Sequence, residues 1–519
     1  MMYHLRSTAF NTLRHYSKDT KIFSDKILSE SHQATSPLNF VLGKRVDAQG
    51  SSSFQLIAPA TGKVLRNIPN SNEQDISEAV LAARHTFKSW SKWTGFERGK
   101  VLKTAAELIR NKVDDLAYTE VLDTGKPIWE ARYDILGCAD TIEYYGGLAG
   151  GIKGDFMQLS GGSFAYTVRE PLGVVGGIGA WNFPFQMAAW KSAPALACGN
   201  TMVFKPSQVT PLTAVMLGEI YQRAGLPGGC YNVVQGEGET GQILCSHSDI
   251  DKVTFTGSVP TGSRIMETCA KGIKHVTLEL GGKSPLIIFS DADLDNAVKG
   301  AILANFSNQG QVCSNGTRVF VEESIAEDFL AKLIERVDNM KIGDPYHEDT
   351  TVGATISSQQ AQIVEGYIDN AKKEGATVVY GGERVTPSDP NLAGGIYLRP
   401  CILVNCTDDM TVVRKEVFGP VLSLLTFKSE EEVVARANDT EFGLAGGVFT
   451  RDLQRAHRVV AAMEAGSIYV NNYNVYPVGV PFGGYKKSGI GRENGEDSLN
   501  YYSQIKSVYF EGGDVECPY

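Results

Sequence analysis

Five compact β-branched runs, each closed by a turn of small residues and separated from the next by a stretch long enough for a helix, constrain this chain more than any other feature. They are GVVGGIG at 173–179, NTMVFKPS at 200–207, CYNVVQG at 230–236, KVTFTGS at 252–258 and HVTLELGG at 275–282. Strand and helix periods that alternate in this way predict an α/β fold with a parallel sheet. Upstream, Val101, Leu102, Ala105, Leu108 and Ile109 share one helical face and Ile76, Val80 and Phe87 another, as core-facing helices do. Such sheets bind ligands beyond the carboxyl ends of their strands, and those ends carry Asn182, Lys205, Gly257, Ser258 and Glu279.

The rest of the composition narrows the partners. A charge balance of −10, without a dense Lys/Arg block interleaved with aromatics, argues against nucleic acid. No run of about 18 apolar residues appears, so no segment reads as a membrane span. The 9 cysteines are scattered singly, with no C-x-x-C pair and no Cys/His set spaced for zinc. That is reducing-compartment usage, and no metal site is expected.

The first ~35 residues differ in kind. MMYHLRSTAFNTLRHYSK carries Arg6, Arg14 and Lys18, hydroxyl residues, and no acid before Asp19. It reads as a transit peptide, which would direct the chain to the mitochondrial matrix. The alternative is a disordered extension of a cytosolic protein.

Chemistry concentrates in FSNQGQVCSNGTRVF, 306–320, where Cys313 sits among glycines, amides and small polar residues, and in VTLELGGKSP, which carries Glu279. A thiolate attacks carbonyl carbon readily, and a carboxylate folded beside it can activate water to release the captured acyl group. The other cysteines read as small buried hydrophobes. The usual dinucleotide fingerprint is missing, because Gly177-Ile178-Gly179-Ala180-Trp181-Asn182 ends in Asn where a third glycine would fall. A second glycine turn, Gly257 to Gly262, precedes the expected helix SRIMETCAKG; it is either a pyrophosphate site or an ordinary strand-to-helix turn. Lys205 ends its strand where an ammonium would suit ribose hydroxyl or phosphate oxygens.

Taken together, GAWNFPFQMAAWKSAPALACGNTMVFKPS, KVTFTGSVPTG, VTLELGGKSP, FSNQGQVCSNGTRVF, EVFGPV, NNYNVYPV and PFGGYKKSGIGRENG resemble the aldehyde dehydrogenase superfamily over about 40–515, and within it the aminoaldehyde and betaine aldehyde group. The resemblance implies Cys313 as nucleophile, Asn182 with the Cys313 backbone N–H as oxyanion donors, and Glu279 as general base. It implies a proton path through Lys191 and Glu493, which a plain salt bridge would explain equally. It also implies NAD as cofactor, held by Ile178, Trp181, Lys205, Gln208, Gly257, Ser258, Leu280, Glu416 and Phe418. Gln208 stands where many NAD-preferring relatives have Glu, so some use of NADP is expected.

The implied substrate tunnel comprises Phe183, Met187, Trp190, Tyr476 and Phe482, with Tyr145 or Tyr144 nearby, although each ring taken singly reads as packing just as well. Aromatic faces would attract a trimethylammonium tail, so the implied reaction is oxidation of 4-trimethylaminobutyraldehyde to the carboxylate, as in carnitine biosynthesis. Betaine aldehyde or broad aliphatic aldehydes are the alternative substrates; a coenzyme A-acylating enzyme and a non-catalytic protein of the same fold are the alternative classes. Tyr476 adds an aromatic, and Gly479 lacks an acidic side chain, relative to the pattern of that group. The implied architecture is a Rossmann-like cofactor domain at 41–152 and 172–281, a catalytic α/β domain at 282–498, and a β arm at 153–171 and 499–515 that pairs subunits into a homotetramer.

Overall fold

The computed structural model describes residues 38–519, so the expected transit segment at 1–35 lies outside the described residues. Two parallel sheets dominate. The five expected strands form as Val174–Ile178, Thr201–Lys205, Tyr231–Val233, Lys252–Thr256 and His275–Glu279, each in parallel register with its neighbour. They are buried almost throughout, which is why they read as continuous apolar runs and not as alternating ones. Asn39–Val41 and Lys44–Val46 extend one edge antiparallel, and Gly489–Ile490 closes the other against Leu278 and Glu279, giving eight strands. A two-residue strand carries no periodicity, so the sequence gives no sign that 489–490 joins this sheet.

The second sheet has seven strands in the order Thr377–Tyr380, Cys401–Val404, Val421–Phe427, Arg318–Glu322, Pro285–Ile288, Ala445–Phe449 and Ser467–Val470, parallel except for the first pair. Phe156–Gln158, Phe164–Pro171 and Ser503–Phe510 make a third, antiparallel sheet. Its surface leaves Phe156, Ile505, Tyr509 and Phe510 exposed.

The helix expected from Ser263 starts earlier, as Val259–Ala270, with Ser258 as N-cap. Pro260 sits in its first turn, where a fixed φ favours helix and the missing N–H costs nothing. The glycine turn is therefore the helix start itself.

Asn200 ties the arm to the first sheet. Fully buried, it accepts the N–H groups of Leu172 (2.7 Å) and Gly173 (3.0 Å) and donates to the carbonyls of Ala195 (3.1 Å) and Tyr502 (2.7 Å). Asn200→Ala would leave these four backbone groups short of partners. It should destabilise the protein by about 2–4 kcal/mol, read as a shift of the urea midpoint at unchanged slope.

Candidate active site

Helix Leu294–Phe306 runs into a turn in which Asn308 (φ 48°), Gln309 (φ 55°) and Gly310 (φ 71°) are all left-handed. Only glycine fits the third place, because a Cβ there would lie 2.2 Å from the Gly419 carbonyl. This turn delivers Cys313, half-buried, against Trp190, Leu444, Tyr476 and Phe482. Burial pushes its thiol up to about 12, and the fields of Glu416 and Glu279 add to the rise. The backbone N–H groups of Cys313 and Ser314 donate toward the sulfur and oppose it.

Asn182 follows the first strand of the cofactor sheet at its carboxyl end. Its side-chain amide donates to the Gln311 carbonyl at 3.0 Å, two residues before the cysteine, which leaves one amide hydrogen for an oxyanion beside the sulfur. Glu279 ends the last long strand of that sheet and is buried, with neither carboxyl oxygen hydrogen-bonded among the described residues. Burial, then the Glu493 carboxylate, hold its proton affinity well above the usual carboxylate range, against the pull of Lys191 and Arg492. Its Oε1 would lie 2.9 Å from a Cβ on Gly483, so that position must be glycine for the carboxyl to stay there. Lys191, fully buried, donates to Glu493 and to Thr256 Oγ1 (2.6 Å). Cys313, Asn182, Glu279, Lys191 and Glu493 thus come from distant parts of the chain to one buried region.

The residues expected to hold a dinucleotide line the carboxyl ends of the same strands. Lys205, buried, donates to the carbonyls of Pro206 (2.8 Å) and Gly236 (2.6 Å), and burial brings its ammonium down to about 8. Ile178 and Lys205 both face Gly241, where a Cβ would stand 3.4 Å from the lysine Cε. Gln208 is half-buried nearby in sequence. Ser258 is exposed and, although it sits at the N-cap, its side chain makes no capping bond; its hydroxyl goes to Thr261 Oγ1 at 3.0 Å, so the amides of that first turn are left for an anion. Gly257 precedes it, and Leu280 packs on Gly262. At the other end, Glu416 accepts the Gly282 N–H at 3.2 Å, and burial lifts its carboxyl to about 7. Phe418, itself left-handed, meets Trp181 edge-on with ring centres 5.1 Å apart. A helix start without a side-chain cap, a buried ammonium and a buried carboxyl are groups that suit the phosphates and ribose hydroxyls of a dinucleotide.

Of the expected tunnel residues, Trp190, Tyr476 and Phe482 form one cluster with Cys313, their ring centres 5.5–6.2 Å apart and edge-on. Phe183 is half-buried under the Lys126 ammonium at 4.0 Å, and Met187 packs in the core of the first sheet. Tyr145 does not line this space: it is fully buried and its hydroxyl is engaged by Ser498 Oγ (2.7 Å) and the Gly495 carbonyl (3.1 Å). Tyr144, half-buried, is the one that faces Gly479. Sequence reading missed Leu444, and it missed the ties of Tyr476 to Ser314 Oγ (2.6 Å) and Asn474 Oδ1 (2.9 Å). Leu444 and the Ser314 contact have no signal in the sequence, since each comes from a segment far along the chain from its partner.

A sequence model of the aldehyde dehydrogenase family matches residues 46–508. The 4-trimethylaminobutyraldehyde dehydrogenase of Rattus norvegicus is 57% identical over 484 residues, covering 93% of this chain and 98% of the relative. Among solved structures, an NAD-dependent aldehyde dehydrogenase from Sinorhizobium meliloti is 39% identical with a TM-score of 0.90, covering 93% of this chain and 96% of that one. Betaine aldehyde dehydrogenase from Staphylococcus aureus in complex with NAD+ is 37% identical with a TM-score of 0.89, covering 92% and 95%.

With its thiol pushed up to about 12, Cys313 should be alkylated in proportion to a small thiolate fraction. In the cofactor-free protein its iodoacetamide rate, followed on the Cys313 peptide by mass spectrometry, should climb about tenfold per pH unit from neutral to strongly alkaline pH. A plateau near neutrality would show a preformed thiolate.

Proposed function

The chain belongs to the aldehyde dehydrogenase family, and from that premise we propose that it oxidises 4-trimethylaminobutyraldehyde and related aminoaldehydes to their carboxylates with NAD. The observation that carries the proposal is the meeting of Cys313 with three aromatic walls, Trp190, Tyr476 and Phe482. Ring faces attract a quaternary ammonium by about 0.5–2 kcal/mol each and ask for no countercharge. The name of the rat relative supports the same substrate. Gly479 at the exposed end of the Tyr476 segment favours a second reading, in which apolar or diamine-derived aldehydes are also taken.

The Cys313 thiol gives its proton to solvent, and the thiolate attacks the aldehyde carbon. The oxyanion of the resulting thiohemiacetal takes the remaining Asn182 amide hydrogen and the Cys313 N–H; one such donor is worth about 2.7–4 kcal/mol in the transition state. Nicotinamide, when bound, supplies a hydride acceptor for the collapse to the thioester. Glu279 then draws a proton from water attacking the thioester carbon, and the Lys191–Glu493 pair carries that proton away from the site. A buried carboxyl of raised proton affinity is suited to this work, and its retention argues against transfer to coenzyme A.

Lys205 would hold the ribose on the adenosine side, Glu416 and Phe418 the nicotinamide ribose and ring, and Gly257 and Ser258 the pyrophosphate, with Ile178, Trp181 and Leu280 lining the same site. Gln208 in place of a carboxylate removes a repulsion against a 2′-phosphate, so NADP is used weakly. The exposed apolar residues of the third sheet support pairing of subunits, and a homotetramer built of dimers is the assembly proposed. The Arg-bearing, acid-free start of the sequence supports import into the mitochondrial matrix.

Cys313→Ala should abolish turnover. Glu279→Gln should keep the first burst of NADH within about twofold while slowing later turnovers about 100-fold or more, since hydride leaves before the thioester is hydrolysed. Loss of the burst as well would put Glu279 in thiolate formation. A kcat/KM panel should rank trimethylaminobutyraldehyde and aminobutyraldehyde above hexanal; the reverse order would overturn the cationic-tail reading.

A further inference from the structure

Glu130 is a carboxyl group with no ion-pair partner among the described residues. It lies in the first turn of helix Ile128–Leu148, buried to 8% exposure, and both oxygens accept a single donor, the backbone N–H of Asn308, at 3.0 and 3.2 Å. The neighbouring Lys126 is spent on Asp134 at 2.7 Å. For satisfying one amide in a buried turn, a neutral acceptor would cost less desolvation than a carboxyl. What Asn308 does next gives the arrangement a purpose.

Asn308 is buried and left-handed, followed by left-handed Gln309, a pair that side chains with a Cβ adopt only when held. Its side-chain amide donates to the Asn182 carbonyl at 2.9 Å and to the Gln311 carbonyl at 3.4 Å, while the Asn182 amide donates to that same Gln311 carbonyl at 3.0 Å. Gln311 in turn donates its backbone N–H to the Asn308 carbonyl at 3.0 Å. Asn182, Asn308 and Gln311 therefore close a ring of hydrogen bonds. The ring joins the residue after the first strand of the cofactor sheet to the turn before Cys313. With one amide hydrogen of Asn182 fixed on Gln311, the direction of the other is fixed too. Glu130 grips the ring at its most strained residue.

We infer that Glu130 and Asn308 are positioning residues for the oxyanion hole: by holding the left-handed turn and the Asn182 backbone together, they aim the free amide hydrogen of Asn182 at the oxygen formed when Cys313 adds to the aldehyde. This rests on the reading of Asn182 as an oxyanion donor. The one-donor effect sets its ceiling, because a misaimed amide can lose no more than an absent one.

The test is a double-mutant cycle on the rate of the NADH burst, with KM and thermal stability measured alongside. Asn182→Ala should slow the burst about 100-fold or more. Asn308→Ala should slow it about tenfold with KM within about twofold, yet add less than about twofold in the Asn182→Ala background, because the group it aims is already gone. Glu130→Ala should match Asn308→Ala, and Glu130→Gln, which keeps an oxygen for the Asn308 N–H, should restore most of the rate. Equal slowing by Asn308→Ala in both backgrounds, or a raised KM at unchanged burst rate, would overturn the positioning role while leaving Asn182 in place. An unimpaired Asn182→Ala would instead remove the oxyanion reading itself and this inference with it. If Glu130→Ala does not fold, the Asn308 cycle and Glu130→Gln decide the matter.

Discussion

Desolvation at the carboxyl ends of two parallel sheets is the constraint on which the rest of this molecule depends. The thiol of Cys313 and the carboxyls of Glu279 and Glu416 all have raised proton affinity, and in each burial is the first cause. Burial brings the ammonium groups of Lys205 and Lys283 down, to about 8 and about 7. Moving either sign of charge out of water favours the neutral form, so burial biases each of these groups toward its uncharged state, while Lys191 and Glu493 offset each other as an ion pair. In such surroundings a single oriented N–H counts for far more than it would in water.

Holding so many polar groups in the interior requires the scaffold to satisfy most of them before any reactant arrives. Lys191 is matched by Glu493 and Thr256, Lys205 by two carbonyls, and Asn200 by four backbone groups. Among the buried side-chain atoms without a hydrogen-bond partner in the described residues are both oxygens of Glu279 and the ammonium of Lys283. Glu279 is the group assigned to move protons, and an unpaired carboxyl is free to exchange partners as the reaction proceeds. The glycines at 281, 310 and 483 belong to the same economy of space, since a Cβ at each would strike Glu416, the Gly419 backbone or Glu279.

Much of the fold was legible because its signals are local. Apolar runs of four or five residues ending in small turns mark strands buried on both faces, and all five expected strands form in parallel register. The candidate site was legible where a reactive residue type stands in a polar setting, as at Cys313 and Glu279, which the fold brings close enough for the carboxyl to act on the thiol. Gly489–Ile490, the early start of the helix at Val259, the diversion of Tyr145 to Ser498, and the Glu130–Asn308 contact were not legible. Each is settled by a neighbour distant in the chain, or by a single residue such as Pro260 that shifts a boundary.

By itself, then, the sequence determined the α/β class, the strands of the first sheet, and which reactive side chains stand at strand and turn ends, because backbone periodicity and side-chain chemistry are properties of short segments. Tertiary structure alone decided which rings wall the sulfur, where the Glu279 carboxyl rests, and that Asn182, Asn308 and Gln311 close into one ring. Those outcomes depend on distances between segments, and such distances exist only once two sheets have packed their ends against each other and excluded water between them.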